Sequence, residues 1–385
     1  EHLEKGQEDR ALECLEHAVS AGKRAAGEGH PRAPAILLKL AEFYQTRGMA
    51  EEAVDVLESA RREVLAKLPQ GHPVRSSVLY SLFMLYRHQG SLELALESIR
   101  ETIDCLKSNE HTDTGVKIES MIEMASVYDD LVRPAEAEIM FKGALRIAAE
   151  ILGEHDPFTI LCLLGLAGFY RTQRRFDEAE PLYEAALQTA ERLHDREDLK
   201  ANCLNNFSMY YMDIDRYDLA EGLLLKSTDI GERFYQADHP EHLAGLSNHA
   251  NLYMQQRRFE EAERIYLRVL AALNNTTSGT SPYLPISQMR LAELCQSSGR
   301  TNEAAAYCKL SLSAALTIAG PEHPYVHMVA NNLAEILQAQ GKIGDPEDLI
   351  RQHCYLLEGP EGIDNKEAID NVVLLRAENP WYLGA

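Results

Sequence analysis

The sequence of 385 residues has no apolar run near the ~20 residues that a membrane-spanning helix requires. Its longest apolar patch, around Leu161 to Phe169, is broken by Gly165 and Gly168 and suits a buried helix instead. Positive charge is scarce as well. Lys and Arg number 38 against 60 Asp and Glu, a formal charge of −22. Nucleic acid needs clustered cations to displace the counterions of its phosphates, so the balance argues against that partner and leaves neutral or basic ones. The seven cysteines (Cys14, Cys105, Cys162, Cys203, Cys295, Cys308 and Cys354) form no CxxC pair and no metal-ligand spacing. They read as small buried apolar residues of a reducing, cytoplasmic compartment. GxSxG, the phosphate-binding P-loop and a Cys/His nucleophile pairing are all missing, and His239-Pro-Glu-His242 does not match HExxH. No enzyme activity, cofactor or metal is expected.

What the sequence does have is self-similarity. Tyr44, Tyr86, Tyr128, Tyr170, Tyr211 and Tyr253 recur at steps of 42, 42, 42, 41 and 42, and Cys295 and Leu337 hold the same register. Nine residues after the first seven stands an alanine: Ala53, Ala95, Ala137, Ala179, Ala220, Ala262 and Ala304. Pro346 takes the eighth slot. Four residues further comes a bulky side chain in most units, as at Leu57, Ile99, Phe141, Tyr183, Leu224 and Tyr266, with Cys308 in the seventh. Three columns in phase over eight units define a repeat in which each unit packs on its neighbours.

Each unit reads as two helices. Leu40, Ala41 and Tyr44 share a face of the first, and Ala53, Leu57 and Ala60 share a face of the second. A turn separates them four residues after the tyrosine. Gly48, Gly90, Gly299 and Gly341 suit the left-handed conformation that ends a helix there, while Val132, Arg174, Asp215 and Arg257 imply strain. His-Pro pairs join several units (His30-Pro31, His72-Pro73, His239-Pro240, His323-Pro324), with His155-Asp156-Pro157 as a variant. Proline disfavours helix in the residue before it and starts the next one. Pro181 is expected in the first turn of its helix, where amides have no intrahelical partner. The fold class is therefore all-α, a right-handed α-solenoid of helix pairs.

A tyrosine, a glycine four residues later and Glu-Ala beyond it resemble the tetratricopeptide repeat. The 42-residue period, the His-Pro joint, Glu178-Ala-Glu-Pro-Leu-Tyr183, Glu261-Ala-Glu-Arg-Ile-Tyr266 and Asn331-Asn332-Leu333-Ala334 are similar to the kinesin light chain type of that repeat. The resemblance covers residues 1–357. It divides them into a partial repeat at 1–29 and eight repeats from about 30, leaving 358–385 as a C-terminal capping helix and tail. Gly6 and Ala11 stand 42 before Gly48 and Ala53, so the chain is expected to open inside a first helix of a longer array. A kinesin light chain itself is not implied, because its heptad segment is missing here.

The resemblance implies that the first helices line a concave groove that binds polypeptides. Positions six and two before each tyrosine and one after it then face the groove. They include Asn205, Met209 and Met212, then Asn251 and Met254, then Met289 and Glu293, then Asn331. Amides meet a peptide backbone with both donors and acceptors, and methionine offers an adaptable apolar surface. The family also implies a backbone-gripping asparagine five residues before the tyrosine. Asn206, Asn248 and Asn332 match it, and Arg290 departs from it. The same column equally fits a scaffold role between neighbouring helices. In the third repeat Glu119, Glu123, Asp129 and Asp130 offer either an acidic dock for a basic segment or a solvated face. The expected partner is a protein or peptide bound by an adaptor. Two alternatives are the sensor array of a larger signalling protein and a regulator resembling peptide-pheromone receptors.

Overall fold

The computed structural model describes residues 33–46, 49–109, 113–193, 195–274, 281, 283–321, 323–342 and 345–358. The partial N-terminal repeat and the C-terminal capping helix lie outside these residues. Among the described residues there is no strand. The chain divides into two compact bodies, the second beginning at Asp195. The first holds α1 (Ala33–Thr46) with α2 (Ala50–Lys67), α3 (Pro73–His88) with α4 (Leu92–Lys107), α5 (Thr114–Asp130) with α6 (Pro134–Ile147), and α7 (Pro157–Thr172) with α8 (Phe176–Arg192). The second holds α9 (Glu197–Asp213) with α10 (Tyr217–Phe234), α11 (Pro240–Gln255) with α12 (Phe259–Asn274), α13 (Tyr283–Ser297) with α14 (Thr301–Ala319), and α15 (Pro324–Ala339) with α16 (Pro346–Glu358). Within each body a second helix packs on its own partner and on the next first helix, and first helices touch in turn, α1 on α3, α5 on α7 and α9 on α11. This is the layered contact order of an α-solenoid.

The sequence columns are the packing surfaces. All seven alanines of the Ala53 column have no exposed surface. The small residues three before the tyrosines (Ala125, Ala167, Ser208, Ala250 and Ala292) are equally buried and let the paired helices approach. Leu57, Ile99 and Leu224 of the bulky column are sealed. Burying such a side chain contributes ~1.5–3 kcal/mol, so the bulky column is a main source of each layer's stability.

Every first helix ends alike. The amide five residues after the tyrosine column returns to its carbonyl, as Arg133 to Tyr128, Arg175 to Tyr170 and Arg258 to Tyr253, each at 2.8 Å. That bond requires a left-handed residue before it. Gly90, Gly299 and Gly341 supply it at φ between 73° and 79°, and Val132, Arg174, Asp215 and Arg257 are forced to 58° or 59°. The strain expected at those four positions is present. Helix starts are capped as the His-Pro pairs suggest. Nδ1 of His72, His239 and His323 accepts from the amide two residues on, at 3.1 to 3.3 Å, with proline in the first turn. Pro181 departs from expectation. It is the sixth residue of α8, past the free amides, so the Asp177 carbonyl loses its helical partner.

A clamp across the layers completes the joint. Glu138 on α6 accepts from the Tyr170 hydroxyl at 2.9 Å and from Arg175 at 2.5 Å, and the Arg175 guanidinium lies 4.3 Å from the Tyr170 ring centre. Glu221, Tyr253 and Arg258 repeat the arrangement at 3.0, 2.9 and 4.0 Å. Glu263 and Arg300 keep the ion pair at 2.9 Å where Cys295 replaces tyrosine. Arg175, with Lys142 and Tyr170, holds the Glu138 carboxyl down at about 2.

Candidate functional site

The amide-rich face of α9 and α11 is built by register. The two first helices lie side by side, so side chains 42 or 43 residues apart meet. Asn248 Nδ2 donates to Asn205 Oδ1 at 3.0 Å, tying α11 to α9. Asn206 turns onto its own helix instead and donates to the Asn202 carbonyl at 3.0 Å and to Asn202 Oδ1 at 2.5 Å. Asn251 Oδ1 accepts from the Tyr266 hydroxyl of α12, whose phenol burial holds protonated by pushing its pKa up. These asparagines are half-buried, as are Met209 and Met254.

Two other methionines are not on an open face. Met212 is 8% exposed and packs with Ala220, Leu224 and Leu252. Met289 is 4% exposed, with its sulfur 3.9 Å from Cys308. In both, the long apolar side chain drops into the space beside the small residues of the second helix. Further along, Arg290 is exposed and pairs with Glu293 at 2.8 Å on the same helix. Asn331 is exposed and Asn332 half-buried, and neither hydrogen-bonds to another described residue through its side chain.

The acidic residues of α5 are less available than their sequence suggests. Arg87 of α3 pairs with Glu123 and approaches Asp130 at 3.9 Å. Asp129 accepts from Gln173 at 2.8 Å and from Thr172 at 3.4 Å, and burial, more than the neighbouring Asp130, raises its pKa. Glu119 stays exposed. Beside these carboxylates α3 shows Tyr80 and Met84, 37% and 45% exposed.

A further feature went unread in the sequence. Ala201, Asn202 and Asn205 of α9, the end of α10 from Ser227 to Tyr235, and the start of α11 line a cleft of about 80 Å³. His242, the last residue of the His-Pro-Glu-His stretch, is turned inward and only 6% exposed. Its Nδ1 is buried without a hydrogen-bond partner among the described residues. A Cβ on Gly231 would overlap that nitrogen and stand 3.3 Å from Cγ and Cε1. Burial lowers the His242 pKa and keeps the ring neutral. The available signal was Ala201, which stands where Ile118, Ile160 and Leu243 hold the same column, whereas the counterparts of Ser227 and Gly231 are small in several repeats, as at Ala144, Ala148, Ala186 and Ala190.

Family models described as tetratricopeptide repeat match residues 117–192, 159–230, 200–275 and 247–324. Together they run from 117 to 324, more than half of the 385 residues. The chain is 26% identical over 237 residues to the Arabidopsis thaliana protein kinesin light chain-related 1, a match covering 58% of this chain and 36% of that protein. It is 25% identical over 204 residues to kinesin light chain-related 3 of the same plant, covering 51% and 30%. The chain thus spans about a third of the length of the curated relatives it matches. Among solved structures, a Rap protein complexed with competence and sporulation factor gives a TM-score of 0.53 at 16% identity, covering 96% of this chain and all of that one. The apo form of the quorum sensor NprR from B. thuringiensis gives 0.53 at 18% identity, covering 93% and 95%. At these identities the likeness is one of fold.

Proposed function

Since the chain belongs to the tetratricopeptide repeat family and carries repeats of the kinesin light chain-like type, we propose that it is a non-catalytic binding module that holds an extended polypeptide segment on the first-helix face of α9 and α11. The observation that carries this reading is the Asn205–Asn248 pair. A carboxamide has two donors and two acceptor lone pairs. The bond between the two residues uses one donor of Asn248 and one lone pair of Asn205. Both donors of Asn205 and the carbonyl of Asn248 are left, and their positions are already fixed. An extended backbone presents the complementary alternation of carbonyl and amide, and pre-set partners lower the entropy lost on binding. Met209 and Met254 supply apolar surface beside them. The protein solved with competence and sporulation factor shares this fold, which is consistent with a ligand-binding role.

The test pairs capture with folding. Asn205→Ala combined with Asn248→Ala removes both ends of the bond and leaves no orphaned partner. Proteins captured by the wild-type chain should be lost from the variant while its thermal melt is retained. An unchanged set of captured proteins refutes the reading.

A further inference from the structure

The cleft between α9, α10 and α11 lies where Ala201 and Ser227 are short, the room beside Gly231 being taken by the His242 ring. One repeat later, 42 residues on, Leu243, Val269 and Leu273 occupy the places of Ala201, Ser227 and Gly231. There they form a sealed aliphatic plug with Leu246, against which Leu284 packs. Leu284 is itself the counterpart of His242. The same structural slot is therefore filled with hydrocarbon in one repeat and opened, with polar groups added, in the repeat before it. A water needs ~10–15 Å³ on this measure, so about 80 Å³ admits several waters or one short side chain.

The polar lining is rich in acceptors. Ser227 donates its hydroxyl proton to the Ala201 carbonyl at 2.9 Å, and Thr228 donates to the Leu224 carbonyl at 2.9 Å. Both oxygens keep only lone pairs for a ligand. The Glu241 carboxylate accepts from Tyr235 and has no ion pair among the described residues, Arg196 being held by Asp198 at 2.7 and 2.9 Å. The neutral His242 ring adds no positive charge. The walls between these groups are the methyls of Ala201 and Ala244, the bare backbone of Gly245 and the part of Gly231 that the His242 ring leaves uncovered.

We propose that this cleft binds a primary alkylammonium group, its methylenes against Ala201, Ala244 and the two glycines and its N–H donors toward Ser227, Thr228 and Glu241. An ammonium has three donors and no lone pair, the complement of this lining. An anion would meet the Glu241 carboxylate and could be donated to only by the carboxamides of Asn202 and Asn205 at one side. The ammonium can come from a free alkylamine or from a lysine side chain of a bound segment, and only the second source rests on the function proposed above. Asn202 and Asn205 line the same cleft, where they meet the backbone around such a lysine.

The full-length chain labelled with ¹⁵N-histidine is titrated with n-butylammonium, with n-butyramide and with the peptide acetyl-Gly-Gly-Lys-Gly-Gly-amide. Butylammonium should shift the His242 ring signals saturably, and butyramide should not. Ala201→Leu with Ser227→Val, which restores the plug of the next repeat, should raise the melting temperature and weaken butylammonium binding about tenfold or more. Weaker binding with a higher melting temperature separates loss of the site from loss of folding. Tighter binding of the peptide than of butylammonium supports the site and assigns it to lysine. Equal binding supports it and assigns it to free amines. The absence of a saturable shift, an equal response to butyramide or unchanged affinity in the filled variant overturns the proposal. Failure of the asparagine capture test leaves the butylammonium result untouched, so the two readings fail separately.

Discussion

Gly231→Ala is the most informative single substitution, because two calculable effects oppose each other in it. Gly231 lies inside α10, where alanine is favoured over glycine by ~0.8–1.0 kcal/mol in helix propensity. Against that, the new Cβ overlaps His242 Nδ1 and crowds two further ring atoms at 3.3 Å. The ring is 6% exposed, so it cannot swing into solvent without unpacking the start of α11. Overpacking of this kind costs ~1–3 kcal/mol. In the wild-type background the substitution should therefore be neutral to destabilising by ~2 kcal/mol. With His242→Ala already made, the clash is gone and the same glycine-to-alanine change should stabilise by ~0.5–1 kcal/mol. The difference between backgrounds, ~1–3 kcal/mol, isolates the contact. Urea denaturation of the four proteins in the cycle, followed by circular dichroism, measures it. Equal effects of Gly231→Ala in both backgrounds would show that the ring does not rest on Gly231.

Three other outcomes are expected. Val132→Gly should stabilise by about 1 kcal/mol in urea melts, since a β-branched residue at φ 58° and 85% exposure carries strain and contributes little packing; a loss of stability would contradict the strain. His72→Ala should cost ~1 kcal/mol by removing the cap on the Val74 amide, and His72→Asp should restore it; matching melts for the two variants would count against the cap. The buried rings of His242 and His249 have pKa values lowered by burial, the latter with Glu221 opposing and Arg258 and Arg268 assisting. Below the ordinary value of 6.5 the unfolded chain therefore binds more protons than the folded one, and stability falls from about pH 6.5 down to the folded pKa values. His242→Leu with His249→Leu should flatten the dependence of the urea midpoint on pH across that window, and an unaltered slope tells against it.

The fold was legible because its determinants repeat in phase. A tyrosine column, an alanine nine residues later and a turn residue four after the tyrosine each mark a backbone geometry that recurs, even where Val132 or Asp215 replaces glycine. The face was harder to read. Met212 and Met289 follow the groove columns, yet they are buried, because whether a long apolar side chain enters the core depends on the size of its neighbours on the second helix. Asn206 and Asn248 share a column and differ in partner, since Asn202 is within reach of the first and Asn205 of the second. Pro181 was misplaced by a few residues because a helix start is set by the turn before it, not by the proline. The arginines of the clamp stand in a visible column, but their glutamates lie 37 residues earlier, and only the stacking register reveals the pair. The cleft follows from Ala201, small where Ile118, Ile160 and Leu243 are large, a single departure that periodicity averages away.

The clamp bears on how such an array changes length. Each of the third to sixth repeats brings a glutamate of the Glu138, Glu221 or Glu263 kind on its second helix and an arginine of the Arg175 or Arg258 kind at its turn. Recombination between equivalent points of two of these four repeats therefore rejoins a glutamate to an arginine at the native spacing. Duplication or deletion of a whole period within that stretch regenerates the joint without a compensating substitution, so the middle of the array can grow or shrink by single repeats and still close its seams.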